Sequence, residues 1–217
     1  MSSPAEVKAV LWDFGGVFTT SPFDAFNRYE RERGLPVDII RRINSLNPDS
    51  NAWARIERSE VDAATFDRLF AEEAKALGHS IPGKDVLALL SGDLRPRVVE
   101  AFSACKAKFK VGCITNNAPT GKGAGMSSST EKASQIADIF ARFDHVIESS
   151  KAGVRKPDPR IYRMMCDALG VQPPQCVYLD DLGINLKPAR DMGMTTIKVV
   201  SEVQLLADLS KAVGLTF

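Results

Sequence analysis

The chain of 217 residues is short of several residue types on which familiar kinds of protein site depend. Its two histidines, His79 and His145, lie in no metal-ligand motif, so a histidine zinc site and a serine–histidine–aspartate triad are poorly supplied. Its four cysteines form no CxxC pair and lack the density of a disulfide scaffold, and we expect buried, reduced thiols. Carboxylates, hydroxyls and amines remain as the candidate reactive groups.

The sequence also lacks a strong charge of either sign and any long apolar run. A formal net charge of +1 produces no field that favours nucleic acid or an anionic membrane. No apolar run approaches the roughly 20 residues that a membrane-spanning helix requires, and residues 1–6 contain no apolar signal segment. We therefore expect a cytoplasmic protein that binds neither nucleic acid nor membrane. With 44% hydrophobic residues, the chain can bury a sizeable core.

Short apolar segments alternate with helical patterns over most of the chain. Because strands that alternate with helices form right-handed βαβ units, this order predicts an α/β fold with a parallel sheet. The predicted strands are residues 7–12, 109–115, 145–148, 176–179 and 196–200. The predicted helices that separate them are residues 96–108, 129–142, 159–169 and 185–192.

Residues 22–90 interrupt this alternation, since no convincing strand occurs there. The region instead has helical patterns at residues 22–33, 37–44, 51–57, 63–77 and 83–90. An all-helical insert directly after the first strand is expected to cover the sheet edge at which that strand ends. We therefore predict two domains: a core of residues 1–20 and 92–217, and a small helical cap of residues 21–91.

The ends of four predicted strands carry polar residues of complementary chemistry. In a parallel sheet these ends lie on one edge, which is where open α/β proteins place their sites. Clustered carboxylates repel one another unless a cation joins them, and hard oxygen ligands favour Mg²⁺. A nearby hydroxyl, amide and amine suit phosphoryl oxygens, and a carboxylate beside Mg²⁺ can attack phosphorus. The residues are Asp13, Thr115, Asn116, Lys156, Asp180 and Asp181.

Each of these residues has an ordinary structural explanation when taken alone. An aspartate at a strand end often caps a helix or forms a turn, and a lysine before a proline can be a solvated charge. The Gly- and Ser-rich segment 119–130 lacks GxxxxGK[ST] spacing, so we expect a flexible loop that borders the site. The combination of all six polar residues at strand ends is what predicts a catalytic site.

Four motifs in this set resemble those of the haloacid dehalogenase (HAD) superfamily. They are DFGGV at 13–17, ITNN at 114–117, KPDP at 156–159 and LDD at 179–181. The resemblance spans nearly the whole chain, is strongest over residues 146–200, and is to subfamily IA members with a small type-one cap. It implies a Rossmann-like core and a Mg²⁺-dependent hydrolase that cleaves the phosphate ester of a small phosphorylated metabolite.

The resemblance also implies a role for each matched residue in catalysis. Asp13 corresponds to the nucleophile, which forms an aspartyl-phosphate and also binds Mg²⁺. Thr115 corresponds to the hydroxyl that holds the phosphoryl oxygens, with Asn116 beside it. Lys156 corresponds to the lysine that neutralises both the nucleophile and the phosphate.

Three further residues are implied as metal ligands by the resemblance. Asp181 corresponds to a direct Mg²⁺ ligand, and Asp180 to a second acid that acts directly or through water. Gly15 corresponds to a position whose backbone carbonyl binds the metal. Most HAD phosphatases have an aspartate there, which protonates the leaving oxygen and then activates water.

Glycine at position 15 leaves three hypotheses open. The first is a phosphatase that uses water or another group, or substrates with good leaving groups. The second is a metal-independent 2-haloacid dehalogenase, a branch that also lacks the second aspartate but has little use for Asp180 and Asp181. The third is a ligand-binding or interaction module with little turnover. We favour the phosphatase because the retained acids imply a cation, and we expect a monomer or a homodimer.

Overall fold

A sheet of five parallel strands forms the centre of the computed structural model, which describes residues 6–118 and 129–217. The strand order across the sheet is β3-β2-β1-β4-β5. The strands are β1 (Ala9–Trp12), β2 (Lys110–Thr115), β3 (His145–Glu148), β4 (Cys176–Asp180) and β5 (Thr195–Lys198). All four neighbouring pairs are parallel, which confirms the predicted α/β fold.

Apolar clusters cover both faces of the sheet, as a parallel sheet requires. Along the central strand β1, Val10 and Trp12 belong to one cluster, and Ala9 and Leu11 belong to the other. All four side chains are fully buried. Since successive side chains of a strand point to opposite faces, burial on both sides explains the uninterrupted apolar run of this strand.

Helices occupy the segments between the strands and the whole of the insert. In the described part of the chain they are α1 (Pro22–Glu32), α2 (Ile39–Ser45), α3 (Ala52–Glu57), α4 (Ala63–Ala76), α5 (Gly83–Ala88), α6 (Pro96–Lys106), α7 (Thr130–Phe140), α8 (Ser149–Ala152), α9 (Pro159–Leu169), α10 (Gly183–Asp191) and α11 (Glu202–Val213). The nine predicted helices are confirmed, with ends within two residues of the prediction.

Two helices, α8 and α11, were not predicted. Helix α11 begins after Ser201, whose Oγ accepts a hydrogen bond from the backbone N–H of Gln204 at 3.2 Å. Its side chains Leu205, Leu206 and Leu209 are buried in one of the two clusters that flank the sheet. A serine cap ahead of leucines at helical spacing is a recognisable helix start, so this helix was predictable.

The helices of the insert surround an apolar cluster of their own. Phe26, Phe66 and Phe70 are buried in it, and Ala118 from the segment after β2 joins them. The two segments that connect the insert to the sheet pair with each other, through a bridge between Thr19 and Leu94. The bridge lies near the predicted domain boundaries at 20/21 and 91/92. The division into two domains remains a prediction.

Membrane insertion through a helix has no support in the described residues. None of the helices within 6–118 and 129–217 combines the length and the apolar character needed to cross a bilayer. The expected cytoplasmic location remains a prediction.

Candidate active site

The parallel pairing of β1 with β4 brings two predicted site residues to the same edge of the sheet. Trp12 pairs with Leu179, and the backbone N–H of Asp13 donates to the Leu179 carbonyl at 2.8 Å. Asp13 therefore lies beside Asp180, the last residue of β4. The Asp13 side chain is nearly buried, and its Oδ1 accepts a hydrogen bond from the N–H of Phe14 at 2.7 Å.

The ammonium of Lys156 lies between these two carboxylates. Its Nζ is 2.8 Å from Asp13 Oδ1 and 2.8 Å from Asp180 Oδ2. The Lys156 side chain is fully buried, although lysine is rarely buried unless it is paired. The interaction explains the burial and fixes the ammonium at the edge where the strands end.

Asp180 is held on all sides by hydrogen-bond donors. The Tyr178 hydroxyl and Lys156 donate to its Oδ2, and the backbone N–H of Leu182 donates to Oδ1 at 2.8 Å. The Asn185 amide donates to both oxygens at 3.1 Å. Asp180 is fully buried, so in this arrangement it is an anchor for the Lys156 ammonium.

Asp181 completes a group of carboxylates that could hold a metal ion. Asp13, Asp180 and Asp181 each place one oxygen within 4.8 Å of the others. Asp181 also packs tightly against the turn that follows Asp13. A Cβ at Gly16 would lie 2.1 Å from Asp181 Oδ2, and Gly16 has φ of 72°, so both the space and the backbone require glycine there.

The electrostatics of this group favour an additional cation. Burial raises the pKa of Asp13 well above its usual value, and the charges of Asp180 and Asp181 add to that effect against Lys156. Burial and the Asp180 charge raise the pKa of Asp181 to about 6. For Lys156, burial alone lowers the pKa, but Asp13 and Asp180 outweigh it and raise the pKa. The Lys156 ammonium pairs with two of the three carboxylates, and the negative charge of the third matches a divalent ion with oxygen ligands.

Gly15 differs from Gly16 in that nothing in the structure demands a glycine. Its φ is outside the left-handed region, and a Cβ at this position would meet no atom within 4 Å among the described residues, apart from its chain neighbours. The described part of the structure therefore has room for a Cβ at position 15. Packing among the described residues thus does not explain the glycine that the sequence has at position 15.

The two polar residues at the end of β2 have different surroundings. Thr115 is the last residue of the strand and is buried. The Asn116 amide donates to the Lys156 carbonyl at 3.0 Å, and its Oδ1 accepts from the Lys156 N–H at 2.9 Å. The side chain of Asn116 thus fixes the backbone of Lys156, and its predicted contact with substrate remains a prediction.

Several residues of this region were not predicted from the sequence. Tyr178 lies two residues before Asp180 and so shares its face of β4, a relation that the period of a strand could have indicated. Arg95 donates from Nη1 to the Gly16 carbonyl at 3.0 Å and holds the turn after Asp13. Glu57 lies in the insert and accepts a hydrogen bond from the Asn116 amide, a contact that no local sequence pattern predicts. Most of the Gly- and Ser-rich segment, residues 119–128, lies outside the described residues.

Comparisons with known proteins agree with this architecture. A family model described as haloacid dehalogenase-like hydrolase matches residues 7–193. The chain is 31% identical over 216 residues to mouse acyl-CoA dehydrogenase family member 10, and 29% identical over 222 residues to mouse bifunctional epoxide hydrolase 2. These matches cover 95% and 97% of the chain but only 19% and 40% of the two relatives, so the chain spans less than half the length of either.

A relative of similar length and two solved structures complete the comparison. A phosphatase of Mycobacterium tuberculosis is 30% identical over 196 residues, covering 87% of this chain and 85% of its own. A HAD family enzyme of Bacteroides thetaiotaomicron in complex with magnesium and inorganic phosphate has a TM-score of 0.59 at 17% identity, covering 90% of this chain and 96% of its own. The L-2-haloacid dehalogenase of Xanthobacter autotrophicus, with chloropropionic acid covalently bound, has a TM-score of 0.59 at 19% identity, covering 94% and 83%.

At these identities the two solved structures establish the fold alone, whereas the family model covers most of the chain and matches both the first strand and the acidic strand end. The chain therefore belongs to the haloacid dehalogenase-like hydrolases.

Proposed function

We propose that this hydrolase is a Mg²⁺-dependent phosphatase that cleaves the phosphate ester of a small metabolite through an aspartyl-phosphate on Asp13. The observation that carries the proposal is the grouping of Asp13, Asp180 and Asp181, of which the first two share the ammonium of Lys156. That grouping suits a divalent cation, which brings the positive charge that the acidic site lacks, and the cation together with Lys156 suits the oxygens of a phosphoryl group. The M. tuberculosis phosphatase, which matches over most of its length, supports the same activity.

Each residue of the site has a task in the proposed reaction. Asp13 and Asp181, with the carbonyl of Gly15, would hold Mg²⁺, which would supply positive charge to balance the negative charge of the phosphoryl group. The free oxygen of Asp13 attacks phosphorus, and the ester oxygen leaves. Lys156 balances the charge of the nucleophile and of the phosphoryl group, and the Thr115 hydroxyl donates to a phosphoryl oxygen. Water then attacks phosphorus, which releases inorganic phosphate and restores Asp13.

Because Gly15 has no side chain, the proton transfers are the slow part of this scheme. No side chain at position 15 can protonate the leaving oxygen or activate the water in the second step. General acid–base help of this kind is typically worth about 10²–10⁴-fold. The proposed enzyme therefore favours phosphate esters whose leaving groups need no proton, and its aspartyl-phosphate is hydrolysed slowly.

An aspartate introduced at position 15 is expected to accelerate turnover, because its Cβ meets no described atom within 4 Å and its carboxyl group would supply the missing proton donor. Gly15→Asp should raise kcat/KM for an alkyl phosphate by at least about 10-fold, with a smaller gain in kcat/KM for an aryl phosphate that has a good leaving group. Steady-state kinetics on both substrates measures the effect. Gly15→Asn is the matched control, since it has the same shape without the acid. Equal kcat/KM values for the two variants contradict the scheme.

Mg²⁺ is expected to stabilise the protein, and more strongly at about pH 7.5 than at about pH 5. Since folding raises the pKa of Asp181 from 3.8 to about 6, the unfolded chain binds fewer protons between those values. The stability of the metal-free protein therefore falls as the pH rises through this window and stays low above it. Mg²⁺ relieves the repulsion of the ionised group and restores stability by about 2.7 kcal/mol at 100 times its dissociation constant.

Thermal unfolding with and without Mg²⁺ at the two pH values measures this effect. Asp181→Asn is the matched variant, and it should remove most of the Mg²⁺-dependent rise in Tm. A rise of equal size at both pH values, or one that survives in the variant, contradicts the assignment of Asp181 as a ligand.

Dehalogenation of a short 2-haloacid is the second candidate, and Gly15 is the observation that favours it. A halide leaves carbon without a proton, so this reaction needs neither an acid at position 15 nor a metal. A metal-independent reaction does not require the group of three carboxylates near Lys156, so we rank dehalogenation second. Halide release from 2-chloropropionate that persists in EDTA supports this candidate, and phosphate release abolished by EDTA supports the first.

A further inference from the structure

Glu57, the last residue of α3, is a buried carboxylate that the proposed reaction does not use. Its Oε1 accepts a hydrogen bond from Trp53 Nε1 at 2.8 Å, within the insert. Its Oε2 lies 2.6 Å from Arg155 Nε and accepts from the Asn116 amide at 3.3 Å. Arg155 and Asn116 both belong to the segments at the sheet edge. One carboxylate of the insert therefore contacts the two segments that carry the polar site residues.

The contact with Asn116 extends directly to the lysine of the site. The Asn116 amide nitrogen donates to both Glu57 and the Lys156 carbonyl, while its Oδ1 accepts from the Lys156 N–H. If the Asn116 amide were flipped, its oxygen would face the Glu57 carboxylate and the Lys156 carbonyl, and its nitrogen would face the Lys156 N–H, so no hydrogen bond could form at these contacts. Glu57 thus favours the one orientation of Asn116 in which both backbone groups of Lys156 are bound.

Other bonds fasten the same part of the insert to the same segments. The Ser149 hydroxyl donates to the Glu57 carbonyl at 2.7 Å, and the Ser59 hydroxyl donates to the Ser150 carbonyl at 2.8 Å. Arg155 Nη1 also donates to the carbonyl of Pro48, at 2.9 Å. The contact of Glu57 with Asn116 is therefore part of a continuous seam between the insert and the sheet edge.

These contacts decide what Glu57 can do. Because its carboxylate is paired with a guanidinium and accepts two hydrogen bonds, it is poorly placed to exchange protons with a substrate. We propose that Glu57 is a positioning residue, which acts through Asn116 to place the Lys156 ammonium between Asp13 and Asp180 when the insert is seated on the sheet edge. The inference rests on the proposed phosphatase reaction only for its effect on turnover, since the placement of Lys156 is a structural claim.

Glu57→Gln tests the proposal, because it keeps the size of the side chain and removes its charge. We expect kcat for an aryl phosphate to fall by about 10- to 100-fold, the range typical of residues that orient a catalytic group, with a smaller change in KM. Hydrogen exchange at the Lys156 amide should accelerate by at least about 10-fold while exchange in the strands is unchanged. Glu60→Gln is the matched control, since Glu60 is exposed and its side chain pairs with Arg58.

Two further variants make the outcome decisive. Glu57→Asp keeps the charge but shortens the reach to Asn116, so it should reproduce both effects even if Glu57→Gln fails to fold. In an Asn116→Ala background, Glu57→Gln should add little, because the connection to Lys156 is already broken.

Phosphate release tests the proposed reaction, and hydrogen exchange at Lys156 tests the positioning role separately. Wild-type protein that releases no phosphate overturns the proposed reaction but leaves the exchange measurement as a test of positioning. An active wild type together with wild-type kcat and wild-type exchange at Lys156 in both Glu57 variants overturns the positioning role. Accelerated exchange throughout the chain also overturns it, since that result indicates only a loss of stability.

Discussion

Replacing Asp13 with asparagine is expected to lower the turnover of an aryl phosphate by at least about 10⁴-fold, the scale of loss when a nucleophile is removed. The amide cannot attack phosphorus, and it offers Lys156 no charge in place of the carboxylate that now lies 2.8 Å away. The variant should still fold, since an asparagine oxygen can keep the hydrogen bond from the Phe14 N–H. Phosphate release in the presence of Mg²⁺ measures the effect.

Asp191→Asn provides the control for this experiment. Asp191 is an exposed residue at the end of α10, so its replacement should leave both turnover and Tm unchanged. Turnover by Asp13→Asn within about 10-fold of the wild type contradicts the assignment of the nucleophile.

Replacing Lys156 with methionine is expected to have the largest effect on stability. Methionine fills much of the same space, but Asp13 and Asp180 then lose their shared ammonium inside the protein. Breaking a buried ion pair from one side typically costs about 3–5 kcal/mol, because a buried charge is left without a partner. Urea denaturation in the absence of Mg²⁺ measures the loss, and turnover should fall with it.

Asp180→Asn in the Lys156→Met background tests the reason for that loss. The double variant removes one of the two unpaired carboxylates, so it should be more stable than Lys156→Met alone. A loss below about 1 kcal/mol for the single variant contradicts the importance of the buried pair.

Most of the fold could be predicted because the signals that determine it are local. The three central strands β1, β2 and β4 are short runs rich in buried apolar residues, and each helix of the insert has helical spacing with turn residues at its ends. The parallel order of the sheet then brings the strand ends together, so the proximity of Asp13, Lys156 and Asp180 followed from the alternation of strands and helices. Helix α11 carried a local signal too, in Ser201 and the leucines after it.

The remaining features of the site depend on contacts between residues far apart in the sequence. The adjacent residues Asp180 and Asp181 are both aspartates in the sequence, but their surroundings differ. Asp180 accepts hydrogen bonds from several donors, whereas Asp181 packs against Gly16. Glu57 and Asn116 are 59 residues apart, and no periodicity relates a helix of the insert to a strand end. Only the packing of the insert on the sheet edge creates that contact.

The central claim is that Asp13 accepts a phosphoryl group, and rapid-quench mass spectrometry of the wild-type protein with Mg²⁺ and an aryl phosphate tests it most directly. Because the leaving group needs no acid and position 15 offers no base, formation of the aspartyl-phosphate is faster than its hydrolysis. We predict that the peptide containing Asp13 gains the mass of one phosphoryl group early in the reaction, and that Gly15→Asp accumulates less of it. Phosphate release without modification of that peptide, at any time before the steady state, would contradict the account.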